Sequence, residues 1–266
     1  MQGHVCAWCQ CDLHVAPGDV EHFRPKSLYW WLAYDFNNYL LSCPTCNTRK
    51  GWAFPLLNAW RCTWPERRRL HEERHDLLDP IVDDVEKWLR VRRQNRLYRL
   101  VPAAGLGMNT VERRRAEATL ALFKWNENPR LVIARKEAVK TALRAAERAV
   151  QGDRGKRVEV KRLASRFQPF GVAIRQLLEE KHPGLLPTPE EELFFFVRHL
   201  TKQHSEAQKM LLEKPGNELA QRYAAETLWA LAVLWKDPPH VSPGEIDRWL
   251  VKLGCRDQVW TVLAQL

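Results

Sequence analysis

The chain has 266 residues, of which 45% are hydrophobic, and its formal net charge is +10. This length and apolar content suffice for one or two domains with a buried core. The sequence has no apolar run long enough to span a membrane, and its N-terminus lacks the charged start and apolar stretch of a secretion signal. We therefore expect no membrane contact and a cytoplasmic setting.

Two Cys-x-x-Cys pairs stand close together near the N-terminus: Cys6 with Cys9, and Cys43 with Cys46. Each pair presents two sulfurs on one turn, and four thiolates can close a tetrahedral Zn²⁺ shell. Buried free thiols or disulfides are the alternative, but a chain without a signal peptide would keep its thiols reduced. The spacing therefore predicts a structural zinc site.

Three further cysteines fall outside these pairs. Cys11 could replace Cys9 as a ligand, and we favour Cys9 because only that residue completes the two-residue spacing. Cys62 and Cys255 stand alone in the sequence, and isolated cysteines are more often small apolar core residues than ligands.

Residue types suited to metal-assisted phosphodiester cleavage lie between and beside the cysteine pairs. His22 can act as the general base, since imidazole has a pKa near neutrality. Glu21 and Asn47 offer hard oxygen atoms to a divalent ion of the Mg²⁺ kind. Asn38 could hydrogen-bond the backbone or the imidazole. A Glu-His pair alone is common on protein surfaces, and its setting between two zinc pairs favours the catalytic interpretation.

Charged residues around these positions are candidates either for phosphate binding or for structural roles in turns and helix starts. Four cations are candidates for phosphate contacts: Arg24, Lys26, Arg49 and Lys50. We expect Asp19, after a Pro-Gly dipeptide, to be a turn or cap residue that reaches a metal at most through water. We also expect turn and helix-start roles, rather than a second metal site, for Asp79, Asp83 and Asp84.

Beyond residue 108 the sequence has the apolar periodicity of helices. Apolar residues recur at three- and four-residue spacing in 110–124, 129–151 and 157–181, which predicts amphipathic helices. Thr188 before Pro189, and Ser242 before Pro243, predict further helix starts. We expect the inter-helix connections or hinges at 151–155 and 182–189.

Positive charge is concentrated in the middle of the chain. Residues 112–182 hold 18 Lys/Arg against 9 Asp/Glu, whereas residues 183–266 hold 9 against 11. The basic stretch could follow a phosphate backbone through salt-sensitive contacts, although a solvated helix face has the same composition. No base-reading motif stands out, so recognition of a specific target could come from a partner.

The segment 190–266 is rich in aromatic and aliphatic residues. Leu193 to Val197, with Leu231, Leu234 and four tryptophans (Trp229, Trp235, Trp249 and Trp260), predict a compact helical core. Part of this set could instead form a docking face for a partner or for a second copy in a homodimer.

The N-terminal motifs carry a family resemblance. Cys6-x-x-Cys9, Glu21-His22 with Pro25, Asn38 before Cys43-x-x-Cys46, then Asn47 and Lys50, follow one signature in order. With these motifs the segment resembles the HNH (ββα-metal) endonucleases, in an HNN version with Glu in place of the commoner Asp. The resemblance implies His22 as general base, Glu21 and Asn47 as ligands of a catalytic Mg²⁺ or Mn²⁺ ion, and Asn38 as the orienting residue.

Longer phrases narrow the resemblance. DVEHFRPK, WLAYDFNNYLLSCPTCN, KGWAFPL and LLDPIVDDVEKWL are similar to the PtuB-like nucleases of Septu and retron-associated anti-phage systems, over about residues 1–145. That group works beside an ABC or SMC-like ATPase, so the resemblance implies a PtuA-like partner.

These patterns together predict an α+β fold that is mostly α. A zinc-stabilised ββα-metal nuclease module with its extension would occupy residues 1–105, with Glu21 and His22 on a β-hairpin and a helix starting near Pro44. A helical region at 106–266, basic in its first half, would bind nucleic acid or a partner. We expect a metal-dependent endonuclease acting on DNA in preference to RNA. An RNA (tRNA) nuclease with the same site, and a non-catalytic zinc-stabilised nucleic-acid-binding adaptor, are the alternatives.

Overall fold

The computed structural model describes residues 5–13, 18–58, 60–236, 242–253 and 255–263. These residues are mostly helical and include two small antiparallel sheets. The chain divides into two compact units, Met1–Leu186 and Pro187–Leu266. Across the described ranges, no helix is both long and apolar enough to cross a membrane.

The first sheet and the helix after it match the predicted hairpin and helix. Strand β1 (Asp19–His22) pairs antiparallel with β2 (Tyr39–Ser42), and helix α1 (Pro44–Lys50) follows β2 directly. Cys43 is the N-cap of α1, and its sulfur accepts a hydrogen bond from the Cys46 backbone N–H. Pro44, at the first helical position, has no backbone N–H that would need a partner. The cap and the proline together give this short helix a well-defined start.

The second sheet was not predicted. A short helix, α2 (Val85–Trp88), leads into strand β3 (Leu89–Gln94), which pairs with β4 (Leu97–Pro102). The two-residue connection places Asn95 and Arg96 at φ values of 48° and 62°. Left-handed backbone at both positions is what a tight hairpin turn requires, and Asn is among the residues that tolerate it.

Two long helices follow the second sheet. Helix α3 (Val111–Phe123) and helix α4 (Pro129–Val150) agree with the predicted segments 110–124 and 129–151. Each is capped at its start by a polar side chain, Thr110 for α3 and Asn128 for α4.

The predicted single helix at 157–181 was wrong. The structure has two helices there, α5 (Arg154–Leu163) and α6 (Gly171–Lys181). Pro169 cannot donate a helical hydrogen bond, and Phe170 adopts a left-handed backbone with φ of 56°. The helical pattern on both sides of this break hides it from a periodicity argument.

Two side-chain amides, one from α6 and one from the connection between α3 and α4, satisfy both edges of the β3–β4 hairpin. Gln176 accepts a hydrogen bond from the Val91 N–H and donates one to the Leu89 carbonyl, both at 2.8 Å. On the other edge, Asn126 accepts from the Leu100 N–H at 2.9 Å and donates to the Leu100 carbonyl at 2.7 Å. The hairpin and the helices after it share one hydrophobic core. The domain boundary predicted after residue 105 therefore falls within the first compact unit.

The second unit is helical, with α7 (Pro189–Glu213), α8 (Glu218–Lys236), α9 (Pro243–Leu253) and α10 (Arg256–Leu263). Thr188 and Glu191 form the predicted capping box of α7. Of the predicted core residues, Leu193, Val197, Leu231 and Leu234 are buried and Trp260 is exposed. Trp249 is half-buried, and the side chains of Trp229 and Trp235 lie outside the described residues.

Gly171 offers a test of how α6 is docked. A Cβ at this position would lie 1.8 Å from the Ser165 carbonyl oxygen, so any side chain requires the backbone to move. We expect Gly171→Ala to lower the free energy of unfolding by about 3 kcal/mol, the upper end for overpacking, measured by urea denaturation. Gly155→Ala in α5 is the control, because its nearest neighbour would be a side-chain oxygen at 3.4 Å. Equal effects of the two substitutions would contradict the close approach.

Candidate functional site

Four cysteine sulfurs form a compact group. The Sγ atoms of Cys6, Cys9, Cys43 and Cys46 all lie within 4.8 Å of one another, and all four side chains are buried. Zinc bonds thiolates at about 2.3 Å, which in a tetrahedron sets neighbouring sulfurs roughly 3.8 Å apart. The Cys9 and Cys43 sulfurs are 3.9 Å apart. The group therefore has the size and the donor set of a structural zinc site.

The backbone around the first pair forms a tight turn. The Gln10 N–H donates to the Cys6 carbonyl, and the Cys6 N–H donates to the Cys11 carbonyl at 3.0 Å. Gln10 adopts a left-handed conformation with φ of 59°, which closes the turn. Cys11 lies outside the four-sulfur group and is half-exposed, in agreement with the preference for Cys9. The neighbouring thiols of Cys11 and Cys46 lower the pKa of Cys43.

A buried arginine from the helical part of the unit lines the same cavity as Cys6 and Cys9. Arg135 of α4 is 1% exposed, and no carboxylate pairs with it among the described residues. Its Nη1 donates to the Tyr98 carbonyl at 3.0 Å. Burial lowers the pKa of Arg135 to about 10, and the negative charge of Cys9 opposes that shift. A four-thiolate zinc centre carries excess negative charge, so Arg135 fits as its buried counter-charge.

Two acidic side chains of strand β1 meet two side chains of helix α1. Asp19 and Glu21 lie two residues apart on β1, and Asn47 and Lys50 lie three apart on α1, so each pair shares one face. The Asn47 amide donates to Asp19 Oδ2 at 3.0 Å, and Lys50 Nζ donates to Glu21 Oε1 at 3.0 Å. Asp19 is therefore a strand residue held beside Asn47, rather than the predicted turn or cap residue.

Glu21 and Lys50 form a buried ion pair. Glu21 is 4% and Lys50 is 1% exposed, and Lys50 also donates to the His22 carbonyl at 2.8 Å. Burial raises the pKa of Glu21, and the charge of Lys50 opposes that shift; burial likewise lowers the pKa of Lys50. The second oxygen, Glu21 Oε2, is buried with no hydrogen-bond partner in the part of the chain that the structure describes. An unpartnered carboxylate oxygen is a donor that a divalent cation would satisfy.

His22 is held by a backbone carbonyl. Its Nε2 lies 3.0 Å from the Ala33 oxygen, and its ring meets the Tyr39 ring edge-on with centroids 5.1 Å apart. Because a carbonyl can only accept a hydrogen bond, Nε2 carries the proton and the neutral ring has its lone pair on Nδ1. Tyr39 donates to the same Ala33 oxygen at 2.7 Å. Sequence analysis did not identify Ala33, because a main-chain acceptor leaves no side-chain signal.

Asn38 binds backbone, the first of the two options that the sequence left open. Its Oδ1 accepts from the Arg24 N–H at 2.7 Å, and its Nδ2 donates to the carbonyls of Arg24 and Leu32. The side chain is buried and ties the loop after β1 to the turn before Ala33. In this structure Asn38 therefore fixes the loop that carries the histidine's partner.

Three of the four cations predicted to contact phosphate have partners inside the protein. Arg24 pairs with Glu73 at 3.0 Å, and Lys50 is buried against Glu21. Arg49 donates to the Phe123 and Lys124 carbonyls at the end of α3. Their charges neutralise or cap groups within the fold, and phosphate contacts of these three residues stay a prediction. Lys26 is exposed to solvent.

Glu73 is a buried residue that sequence analysis missed. Its Oε1 accepts from Arg24 Nε, and its Oε2 accepts from the Tyr29 hydroxyl at 2.7 Å and from the Cys62 N–H at 2.9 Å. Arg61 donates in turn to the Tyr29 hydroxyl at 2.9 Å. This network fastens the segment after β1 to the chain near Cys62. Nothing in the local sequence distinguishes Glu73 from the exposed Glu72.

Asp79 has the predicted turn role, whereas Asp84 makes no side-chain capping hydrogen bond at the start of α2 and Asp83 forms an ion pair. Asp79 accepts from the Ile81 and Val82 N–H groups, which forms a turn. Asp83 pairs with Arg115 at 2.5 Å, and Asp84 stands at the N-cap position of α2. These partners leave no basis for a second metal site there.

Removal of one cysteine tests the zinc site. We expect Cys43→Ser to lose the bound metal and the cooperative thermal transition, because structural zinc contributes binding energy directly to the folded state. Zinc per chain would be measured by elemental analysis, and unfolding by circular dichroism. Cys62→Ser is the matched control, since Cys62 is 1% exposed and its sulfur donates only to carbonyls. A folded, zinc-free Cys43→Ser protein would contradict the structural role.

The Glu21–Lys50 pair gives a stability prediction. Lys50→Met keeps the side-chain length but leaves Glu21 buried without its counter-charge, and we expect a loss of about 3–5 kcal/mol in the free energy of unfolding. Urea denaturation with a zinc determination would measure it. Lys87→Met is the control, because the Lys87–Asp84 pair is exposed and should contribute less than about 1 kcal/mol. A similar small loss in both variants would show that the pair is not buried in solution.

Two curated proteins resemble this chain. Septu protein PtuB of Bacillus mycoides (strain KBAB4) is 31% identical over 102 residues, which cover 33% of this chain and 34% of that protein. Septu protein PtuB of Bacillus thuringiensis is 40% identical over 53 residues, covering 19% and 21%. The chain thus spans about a third or less of the length of the curated relatives it matches.

No family model matches the chain, and no solved structure matches it. The similarity to the Septu PtuB proteins that the sequence motifs predicted is confirmed over the matched share of the chain.

Proposed function

We propose that the chain is a metal-dependent HNH-type endonuclease that hydrolyses phosphodiester bonds. One observation carries the proposal: α1 brings the Asn47 amide beside Asp19 on the same face of β1 as Glu21, whose buried Oε2 lacks a partner. The next residue on β1 is His22, with its lone pair on Nδ1. This combination supplies hard oxygen ligands and a base within one small unit.

The residues divide the reaction as follows. His22 Nδ1 takes the proton from the attacking water, while the Ala33 carbonyl holds the ring by accepting from Nε2. Glu21 and Asn47, with Asp19 beside them, would hold a Mg²⁺ or Mn²⁺ ion, and Lys50 limits the negative charge that gathers there. A bound divalent ion supplies Lewis-acid stabilisation of the charge on the phosphate and on the leaving oxygen.

The biological setting follows from the relatives. Both matched proteins are named Septu protein PtuB, and we propose that this chain is the nuclease of a similar anti-phage defence system. In that proposal an ABC or SMC-like, PtuA-like ATPase is the partner, in the cytoplasm, and DNA is the preferred substrate.

We keep the functional division as a proposal, with the nuclease site in residues 1–105 and binding of nucleic acid or a partner in 106–266. The basic stretch supports it, since residues 112–182 carry twice as many Lys/Arg as Asp/Glu, 18 against 9. Several of these charges are paired on the surface, such as Arg113 with Glu117 and Lys140 with Glu137.

The adaptor alternative needs only the zinc group. A non-catalytic binding module has no use for a buried carboxylate oxygen without a partner, which is unfavourable unless a ligand satisfies it. An RNA nuclease would use the same site, because hydrolysis acts on the phosphate and not on the sugar. The cleavage assay below compares the two nucleic acids.

Loss of the base should abolish cleavage. We expect the purified chain to cut plasmid DNA or total RNA with Mg²⁺ or Mn²⁺ and not with EDTA. We expect His22→Ala to slow cutting by at least about 100-fold, the usual contribution of a general base, with zinc content and folding unchanged. His182→Ala is the control, since His182 is also half-buried and lies between helices. Equal activity of His22→Ala and the wild type would refute the assignment.

A further inference from the structure

Large aromatic side chains are exposed beside the candidate catalytic histidine. Trp30, Tyr34 and Phe36 are 60%, 90% and 84% exposed, and all lie in the short segment between the two strands of the first sheet. Trp64, 41% exposed, begins a 3₁₀ helix at Trp64–Glu72. Exposed apolar groups clustered in this way usually mark a binding surface.

Three tryptophan rings and one guanidinium group contact each other. The Trp30 and Trp64 ring centroids are 4.9 Å apart, and the Arg67 guanidinium lies 4.1 Å above the Trp64 ring. The Trp31 ring contacts both, with its centroid 5.9 Å from that of Trp30 and 6.1 Å from that of Trp64. We call Trp30, Tyr34, Phe36, Trp64 and Arg67 the aromatic surface.

This surface is continuous with the candidate site. The Ala33 carbonyl that holds His22 directly precedes Tyr34 in the chain. The Phe36 ring meets the Tyr39 ring at 5.6 Å, and the Tyr39 ring meets His22 at 5.1 Å. A ligand bound at Tyr34 and Phe36 would therefore lie close to His22, the proposed base.

The surface is also basic. Residues 26–39 and 60–72 together hold five Lys/Arg (Lys26, Arg61, Arg67, Arg68 and Arg69) against three Asp/Glu (Asp35, Glu66 and Glu72). Arg67 and Arg68 are exposed, and Lys26 is exposed at the other end of the segment. Aromatic rings interleaved with cations favour a ligand that carries both flat apolar faces and negative charge.

We propose that the aromatic surface stacks the unpaired bases of a single-stranded nucleic acid and leads that strand to His22. The inference rests on the proposed nuclease function and specifies its substrate class. In a duplex the base faces are covered by their neighbours, so exposed rings gain little from it. In a single strand every base offers a face to the rings and every phosphate a charge to the arginines.

Binding measurements test the proposal. Fluorescence anisotropy would compare a labelled oligothymidylate, an oligouridylate and a DNA duplex, each of about 20 residues, on the full zinc-bound chain without added Mg²⁺ or Mn²⁺. We expect at least one single strand to bind about tenfold or more tightly than the duplex. The comparison of thymidylate with uridylate separates DNA from RNA as the source of the bases.

Single substitutions locate the binding. We expect Trp64→Ala and Tyr34→Ala each to weaken single-strand binding by about tenfold, the loss of one stacked base. Tyr34 is 90% exposed, so its replacement leaves the fold intact even if Trp64→Ala destabilises the protein. Trp260→Ala is the matched control, because Trp260 is also 41% exposed and has Arg256 5.8 Å from its ring. We expect the control to bind as the wild type does.

Other outcomes would overturn the inference. Equal or tighter duplex binding, unchanged affinity in Tyr34→Ala and Trp64→Ala, or no binding of any strand would each show that the rings serve another purpose, such as docking a protein partner. These results leave the nuclease proposal intact, because that proposal depends on metal-dependent cleavage and its loss in His22→Ala. Absent cleavage with intact single-strand binding would instead contradict the nuclease proposal alone.

Discussion

The four-sulfur group is the constraint on which the first unit depends. Cys43 caps α1 and Cys46 lies in its first turn, so the zinc-binding geometry sets where the helix begins and which face it turns toward β1. The turn at Gln10 also receives the Phe170 and Val172 N–H groups at the start of α6. A hairpin of two four-residue strands is marginal by itself, and metal binding at this junction would stabilise both the site and the docking of the helices.

Charge is compensated within the candidate site. Lys50 balances Glu21 in a buried pair, Arg24 balances Glu73, and Arg135 lines the same cavity as Cys6 and Cys9. Buried charges without partners are strongly unfavourable, which explains why these cations are held inside the fold. In the nuclease proposal, attraction of a phosphate backbone would therefore come from exposed cations such as Lys26 and Arg67.

Local signals predicted part of the fold well. The cysteine spacing, the Thr188 cap and the three- and four-residue periodicity located α1, α4 and α7. The β3–β4 hairpin was not predicted, because the backbone groups at its edges are hydrogen-bonded by Gln176 and Asn126. Both residues are distant in sequence from the strands that they bind. In β3, apolar and basic residues alternate only from Leu89 to Arg92, which is the minimum length for a strand signal.

The sequence by itself determined the four cysteines that could hold zinc, the order of the candidate catalytic residues and the similarity to the Septu PtuB proteins, because spacing and residue type are local properties of the chain. Only the tertiary structure decided the partner of each polar group. Asn38 binds backbone, Ala33 positions His22, and Arg49 binds the end of α3. Hydrogen-bond partners depend on the approach of distant segments to within about 3 Å, which no spacing rule encodes.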